Sequence, residues 1–190
     1  MKTPDPRAQH TRGALLQAFR DLLLEGRPLE DIRVGDVALR AGVGRSTLYE
    51  HFAGIDGLLA GSLAGLFSVL VDTLNAGDNV PHLKRLLDHF WEQRTLARNL
   101  FSGSMRRRSM AVLVSSIEAN LKSQHLARRG QLILPPRLAA VQLAECLLAP
   151  IIAWLAGESR CTSPALASAL SSVSRAALHA MRAASAKSRA

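Results

Sequence analysis

The chain has 190 residues, a length typical of one domain or of one domain with a small satellite, and long enough to form a core without disulfide bonds. Its 32 leucines and 29 alanines, against 10 valines and six isoleucines, favour helices over strands and argue against an all-β fold. The formal net charge of +9 suits an anionic partner, but residues 1–55 contribute only +1, so charge alone locates no binding site.

Apolar residues recur at three- and four-residue spacing along almost the whole chain, and no segment alternates as a half-buried strand does. Glycine, proline and asparagine clusters divide this pattern into segments. We predict about nine helices, near residues 7–25, 34–41, 44–52, 56–75, 81–94, 96–101, 105–126, 136–156 and 163–182. Leu15, Phe19 and Leu22 form the expected apolar stripe of the first helix, and Phe90 and Trp91 are expected to point inward from the fifth. The predicted fold is all-α, with a three-helix domain over residues 1–54 and a larger helical domain over residues 55–190.

Two prolines and a serine mark the ends and the interior of the last two helices. Ser163 is predicted as the N-cap of the final helix with Pro164 at its first position. Pro150 falls inside the preceding helix and is expected to kink it. The apolar stretch 143–156 is shorter than the ~20 residues of a membrane span, and residues 1–12 lack the apolar run of a signal peptide. We therefore expect a cytoplasmic protein without a membrane partner.

A helix-turn-helix pattern occupies residues 33–52, RVGDVALRAGVGRSTLYEHF. Gly42 separates two short helices, and Val37, Ala38, Val43 and Leu48 supply their apolar sides. The other side of the second helix carries Arg45, Ser46, Thr47, Tyr49, Glu50 and His51. Such a set of guanidinium, hydroxyl and methyl groups suits the major groove of DNA. A helical hairpin with no role in DNA binding is the alternative interpretation.

The sequence DVALRAGVGRSTLYEHFAGIDGLL resembles the signature of the TetR family of bacterial transcriptional regulators, in which an IA..AGVS..TLY.HF..K..L pattern follows the first helix. The resemblance implies a homodimer that binds double-stranded DNA through its N-terminal domain and a small molecule through its helical body. It assigns DNA-binding roles to Arg33, Gly44, Arg45, Ser46, Thr47, Tyr49 and His51. It also makes Phe52 a buried hinge, and it places Lys2, Arg7 and Arg12 where they would reach the DNA backbone.

Three positions depart from the family pattern. Arg33 replaces the usual Thr or Ser cap of the second helix, Gly44 replaces the usual Ser, and Ile55 replaces a common Lys. Loss of a side-chain cap costs about 0.5–2 kcal/mol when alanine replaces it, and only a few tenths when glycine does. These departures leave open a second function, a helical small-molecule or partner-binding protein whose N-terminal domain binds DNA weakly.

The helical body has a predicted effector site and a predicted dimer face. The effector, taken to be largely apolar, is expected to contact Phe67, Leu70, Phe90, Trp91, Met110, Leu113, Ile117 and Leu147, although ordinary core packing is the alternative for each residue. The two last long helices are expected to pair across a two-fold axis through Leu138, Val141, Leu148, Ile152 and Leu155.

No pattern in the sequence indicates an enzyme. His82, His89 and His125 have no spacing typical of a metal site, and no nucleophile motif is present. The run from Arg106 to Arg108 is interpreted as a solvated face. The sequence therefore predicts a regulator with no catalytic residues, no metal and no cofactor.

Overall fold

A computed structural model describes residues 5–75, 77–128 and 132–187 of the chain. Over those residues the structure has nine α-helices, one 3-10 turn at Leu29–Asp31 and no strand, which confirms the all-α prediction. The helices are α1 (Pro6–Leu24), α2 (Val34–Arg40), α3 (Arg45–His51), α4 (Gly54–Asp72), α5 (Val80–Glu92), α6 (Arg94–Leu100), α7 (Gly103–Arg128), α8 (Pro136–Ala156) and α9 (Ser163–Lys187).

The chain forms two compact units. The first unit comprises residues 1–64 and the second comprises residues 65–190, so the division falls inside α4. Each unit has its own buried apolar side chains, as a unit of independent structure requires. The domain boundary predicted between residues 54 and 55 stays a prediction.

The core of the first unit is built on one stripe of α1. Leu15, Phe19 and Leu22 are buried at the spacing that the sequence predicts, and α2 packs on this helix. The helix begins after Asp5, whose carboxylate accepts a hydrogen bond of 3.0 Å from the backbone N–H of Arg7. An acidic cap satisfies one of the amides that the first turn leaves without a partner. This anchored helix is the support on which α2 and α3 are held.

The second unit is a bundle in which α7 packs on α8, and α9 packs on both α5 and α8. Its core includes the aromatic pair Phe90 and Phe101, whose rings meet edge to face at 5.7 Å. Trp91, expected to point inward with Phe90, is instead 45% exposed. It lies against Trp154 with ring centroids 4.7 Å apart and with the guanidinium of Arg94 above it. The prediction of a buried Trp91 was wrong because its partners come from other helices.

The N-cap of α9 is Thr162 and not the predicted Ser163. The Thr162 hydroxyl accepts from the backbone N–H of Ala165 at 3.4 Å. Ser163 instead donates its hydroxyl to the carboxylate of Asp88 on α5, at 2.5 Å. Hydrogen bonds from Lys84 and then from Ser163 hold the pKa of Asp88 below its usual value. The serine therefore fastens α9 to α5.

Two helices are long and apolar enough to cross a membrane by composition alone. They are α4, with a mean hydropathy of 1.8, and α8, with 1.9. Half of the apolar window of α8 is buried inside the protein. Core helices of soluble proteins meet the same criterion, so this finding gives no separate support for a membrane location. The α8 helix continues through Pro150, which is exposed.

Candidate nucleic-acid interface

A tight turn joins α2 to α3. The backbone N–H of Val43 donates to the carbonyl of Ala38 at 3.0 Å, and Gly42 at the C-terminal end of α2 has φ of +68°. A side chain disfavours this left-handed conformation, so glycine suits the position. The turn brings α3 back across α2, which is the helix-turn-helix arrangement that the sequence predicts.

The recognition helix, as we call α3, has one buried side and one exposed side. Leu48 is fully buried and anchors the helix to the core. Arg45, Ser46 and Tyr49 are exposed, with Tyr49 at 61%. The predicted DNA-binding residues Thr47 and His51 are half-buried, and Arg33 and Gly44 are exposed at the N-terminal ends of α2 and α3. All seven predicted residues therefore lie in one connected segment, with polar groups open to a partner.

The N-terminus of α2 keeps part of the cap that Arg33 was expected to remove. The carboxylate of Asp36, in the first turn, accepts from the backbone N–H of Arg33 at 3.1 Å. This is one half of a capping box, in which the acidic residue satisfies the amide before the helix. Asp36 also pairs with Arg27 at 3.2 Å. Gly44 has no side chain to cap α3, as its departure from the family pattern implied.

The guanidinium of Arg45 lies over the backbone of Gly35 on α2. A Cβ placed on Gly35 would come within 2.8 Å of a terminal guanidinium nitrogen of Arg45 and within 3.2 Å of its central carbon. The absence of a side chain at Gly35 therefore gives the guanidinium its place. Sequence analysis missed Gly35, although a glycine in the first turn of a seven-residue helix is an unusual choice.

Some arginines of the first unit form ion pairs with acidic side chains and others do not. Arg27 and Arg40 form ion pairs with acidic residues, with Arg40 reaching Glu25 at 2.6 Å. Within the described part of the chain, Arg33 and Arg45 form no ion pair. Uncompensated guanidinium groups beside helix N-termini favour an anionic partner, because the amides and the helix dipole add to their field.

Of the three cations predicted to reach the DNA backbone, Arg7 is exposed at the start of α1 and Lys2 lies outside the described residues. Arg12 contacts protein groups instead. Its guanidinium donates to the carbonyl of His51 at 3.2 Å and lies 4.3 Å from the centre of the Phe52 ring. Phe52 is buried, as the resemblance implied.

The predicted effector-contacting residues lie in the second unit and are mostly core residues. Six of the eight are buried, namely Phe67, Leu70, Phe90, Leu113, Ile117 and Leu147. Met110 is half-buried and Trp91 is exposed. Among the described residues, no group of three His, Cys, Asp or Glu side chains has the arrangement of a metal site. Arg106, in the predicted solvated face, pairs with Glu145 at 3.3 Å.

Residues 23–61 match the model of the family described as bacterial regulatory proteins, tetR family. The HTH-type transcriptional regulator AlkX of Mycobacterium tuberculosis is 42% identical over 65 residues, which is 34% of this chain and 30% of the relative. The uncharacterized HTH-type transcriptional regulator YxbF of Bacillus subtilis is 25% identical over 128 residues, which is 67% of this chain and 29% of the relative. The chain thus matches under a third of the length of these curated relatives.

A solved structure of a TetR-family transcriptional regulator from Syntrophomonas wolfei shares the fold. It is 15% identical, with 90% of this chain and 96% of the other covered, at a TM-score of 0.53. The structural likeness concerns the fold alone, whereas the matched segment spans α2, the turn, α3 and the start of α4. That segment is similar to the tetR family of bacterial regulatory proteins.

Proposed function

We propose that the protein is a DNA-binding transcriptional regulator, a ligand-responsive repressor that binds a palindromic operator as a homodimer. The observation that carries this proposal is the recognition helix itself. Leu48 fixes its buried side, while Arg45, Ser46 and Tyr49 on the other side are open to solvent. A short helix of seven residues presented in this way fits the major groove of B-DNA.

The side chains of this helix divide between base edges and the DNA backbone. Arg45, Ser46 and Thr47 would contact base edges, with Arg45 bonding a guanine through two nitrogens. Tyr49 and His51 would contact phosphates. Arg33 and the exposed backbone at Gly44 would add backbone contacts at the N-terminal ends of α2 and α3. Phosphate contacts set the register of the helix and base contacts set the sequence that it selects.

The homodimer would form through α8 and α9, which pack on each other. Leu138 and Val141 on α8 and Val173 on α9 are 54%, 40% and 56% exposed, which is a costly state for large apolar side chains. Leu148 and Leu155, also predicted at the dimer face, are buried in the protomer's own core. We therefore do not include them in the proposed dimer face. A two-fold pairing would bring two recognition helices to half-sites about 34–36 Å apart, or a multiple of that spacing.

The effector would be a small, largely apolar molecule bound in the second unit, among the core residues named above. The aromatic and methionine side chains there are adaptable contacts for apolar ligands. Binding would lower operator affinity by a coupling of about 5- to 150-fold. We assign the protein to the cytoplasm and give it a regulatory and not a catalytic function, on the strength of the family match.

The test replaces Arg45 with alanine and measures binding to a duplex enriched from a random pool by the wild-type protein, using fluorescence anisotropy. We expect affinity to fall by about 5- to 150-fold, the value of one bidentate base contact, and discrimination to relax at one base pair. Arg106→Ala is the matched control, since Arg106 pairs with Glu145 in the second unit. Unchanged affinity in the Arg45 variant would contradict the proposed role. If the protein binds an effector but shows no salt-dependent duplex binding, the result would favour the second function, a helical small-molecule or partner-binding protein whose N-terminal domain binds DNA weakly.

A further inference from the structure

The guanidinium of Arg12 joins the first helix to the end of the recognition helix. One of its terminal nitrogens donates to the backbone carbonyl of His51 at 3.2 Å. The centre of the same group lies 4.3 Å from the centre of the Phe52 ring, within the range of a cation–π contact. The hydrogen bond spans 39 residues of sequence, so these contacts tie together elements that the chain does not hold adjacent.

The C-terminal end of α3 needs a hydrogen-bond donor of this kind. The last carbonyls of a helix have no intrahelical donors, and in a helix of seven residues they are a large share of the total. His51 is the last residue of α3, and Phe52 leaves the helix in an extended conformation with φ of −142°. A guanidinium at this position donates to an unpaired carbonyl and places positive charge at the negative end of the helix dipole.

The same contact reaches α4 through the Phe52 ring. A Cβ placed on Gly61 would come within 2.9 Å of the ring of Phe52, 3.0 Å of the Leu16 side chain and 3.6 Å of the Arg12 guanidinium. A Cβ on Gly57, one turn earlier, would lie 3.4 Å from Phe52. Two side-chain-free positions on α4 thus leave room for Phe52, with its backbone and Cβ beside Gly57 and its ring beside Gly61.

We propose that Arg12 is a positioning residue, which sets the direction of the recognition helix by fixing its last carbonyl and the Phe52 ring between α1 and α4. Arg12 acts on DNA binding through α3 and does not contact a phosphate, in contrast to the expectation from the family resemblance. The part of this inference that concerns DNA rests on the proposed function. The part that concerns α3 stands on the contacts of the first unit alone.

Hydrogen exchange of the protein without DNA tests the positioning role. In Arg12→Met, which keeps the aliphatic stem, we expect the amides of residues 48–54 to exchange about tenfold faster, as loss of a cation–π contact and a charged hydrogen bond implies. Arg12→Lys restores slow exchange, because it keeps a charged donor. Arg20→Met is the matched control on α1, since Arg20 donates to Gln17 on its own helix and forms no hydrogen bond or ion pair with α3 among the described residues. Unchanged exchange in Arg12→Met, or equal acceleration across α1, α2 and α3, would overturn the proposal.

A second pair of variants approaches the same contact from α4. Gly61→Ala would push the Phe52 ring aside, whereas Gly65→Ala adds a Cβ that meets no atom within 4 Å. We expect the first variant to accelerate exchange in residues 48–54 and the second to leave it as in the wild type. Equal behaviour of the two variants would overturn the role given to the Phe52 contact.

The salt dependence of duplex binding separates positioning from phosphate contact. On the wild-type-enriched duplex, Arg12→Met should lose about tenfold in affinity with an unchanged slope of log K against log salt. A phosphate contact would instead lower the slope by about 0.9 and lose its effect at high salt, which would overturn the proposal. If the wild-type protein enriches no duplex, the proposed function fails, while the exchange experiment still decides the positioning role.

Discussion

Replacing Gly35 with alanine should raise the stability of the first unit and weaken DNA binding at once. The new Cβ would lie 2.8 Å from one guanidinium nitrogen of Arg45 and 3.1 Å from another, so the guanidinium must leave its place. Because that group is the far end of a flexible, exposed side chain, the move costs the fold little. Alanine is favoured over glycine inside a helix by about 0.5–1 kcal/mol, and we expect a gain in unfolding free energy of that size.

The same substitution should lower the affinity of the protein for DNA. Arg45 is the residue proposed to read a base, and a bidentate arginine contact is worth about 1–3 kcal/mol of discrimination. Displacing the guanidinium from its place on α2 forfeits up to that amount, so the affinity of Gly35→Ala for the enriched duplex should drop toward the affinity of Arg45→Ala. Chemical denaturation measures the stability, and fluorescence anisotropy measures the affinity.

A double-mutant cycle tests whether the effect passes through Arg45. In the Arg45→Ala background, Gly35→Ala should have no further effect on affinity, since the displaced group is absent. Gly13→Ala, on α1, is the matched control, because a Cβ there meets no atom within 4 Å and should stabilise without changing affinity. The reasoning is refuted if Gly35→Ala binds as the wild type does, or if it weakens binding equally in both backgrounds.

Three further substitutions give separate outcomes. Leu48→Ala should lower the unfolding free energy by about 2–5 kcal/mol in thermal or chemical unfolding, because Leu48 is fully buried; a smaller loss would contradict its role as the anchor of α3. Leu138→Glu should shift the sedimentation coefficient from dimer to monomer, and a persistent dimer would exclude this face. Asp88 contributes stability above its usual pKa and loses it as pH falls through its lowered folded pKa, since the hydrogen bonds from Lys84 and Ser163 favour the ionised carboxylate. The stabilities of Asp88→Asn and wild type should therefore converge in acid; a constant difference would contradict this.

The sequence allowed prediction of the helices and of the recognition segment because both depend on local patterns. The spacing of Leu15, Phe19 and Leu22 predicts the buried stripe of α1, which the structure has. Gly42 predicts the turn, and its positive φ is the physical reason for a glycine there. In α3, one apolar residue among polar neighbours is enough to predict that Leu48 is buried while Tyr49 is exposed.

Contacts between distant segments were beyond prediction from periodicity. Trp91 has the spacing of a core residue, yet Trp154 and Arg94 from other helices hold it at the surface. Arg12 has the appearance of a free cation in the sequence, but it donates to His51, 39 residues away, and also contacts the ring of Phe52. Such contacts depend on how helices cross, and a hydrophobic pattern states only which side of a helix is buried.

Selection of bound duplexes from a random pool tests the central claim most directly. If two copies of α3 lie against one face of a double helix, the wild-type protein should enrich a palindrome. The centres of its half-sites should be about 10–10.5 base pairs apart, or a multiple of that distance. The pool selected by Arg45→Ala should lose preference at one position of each half-site. A wild-type pool that stays random, or one enriched in a sequence without two-fold symmetry, would contradict the account.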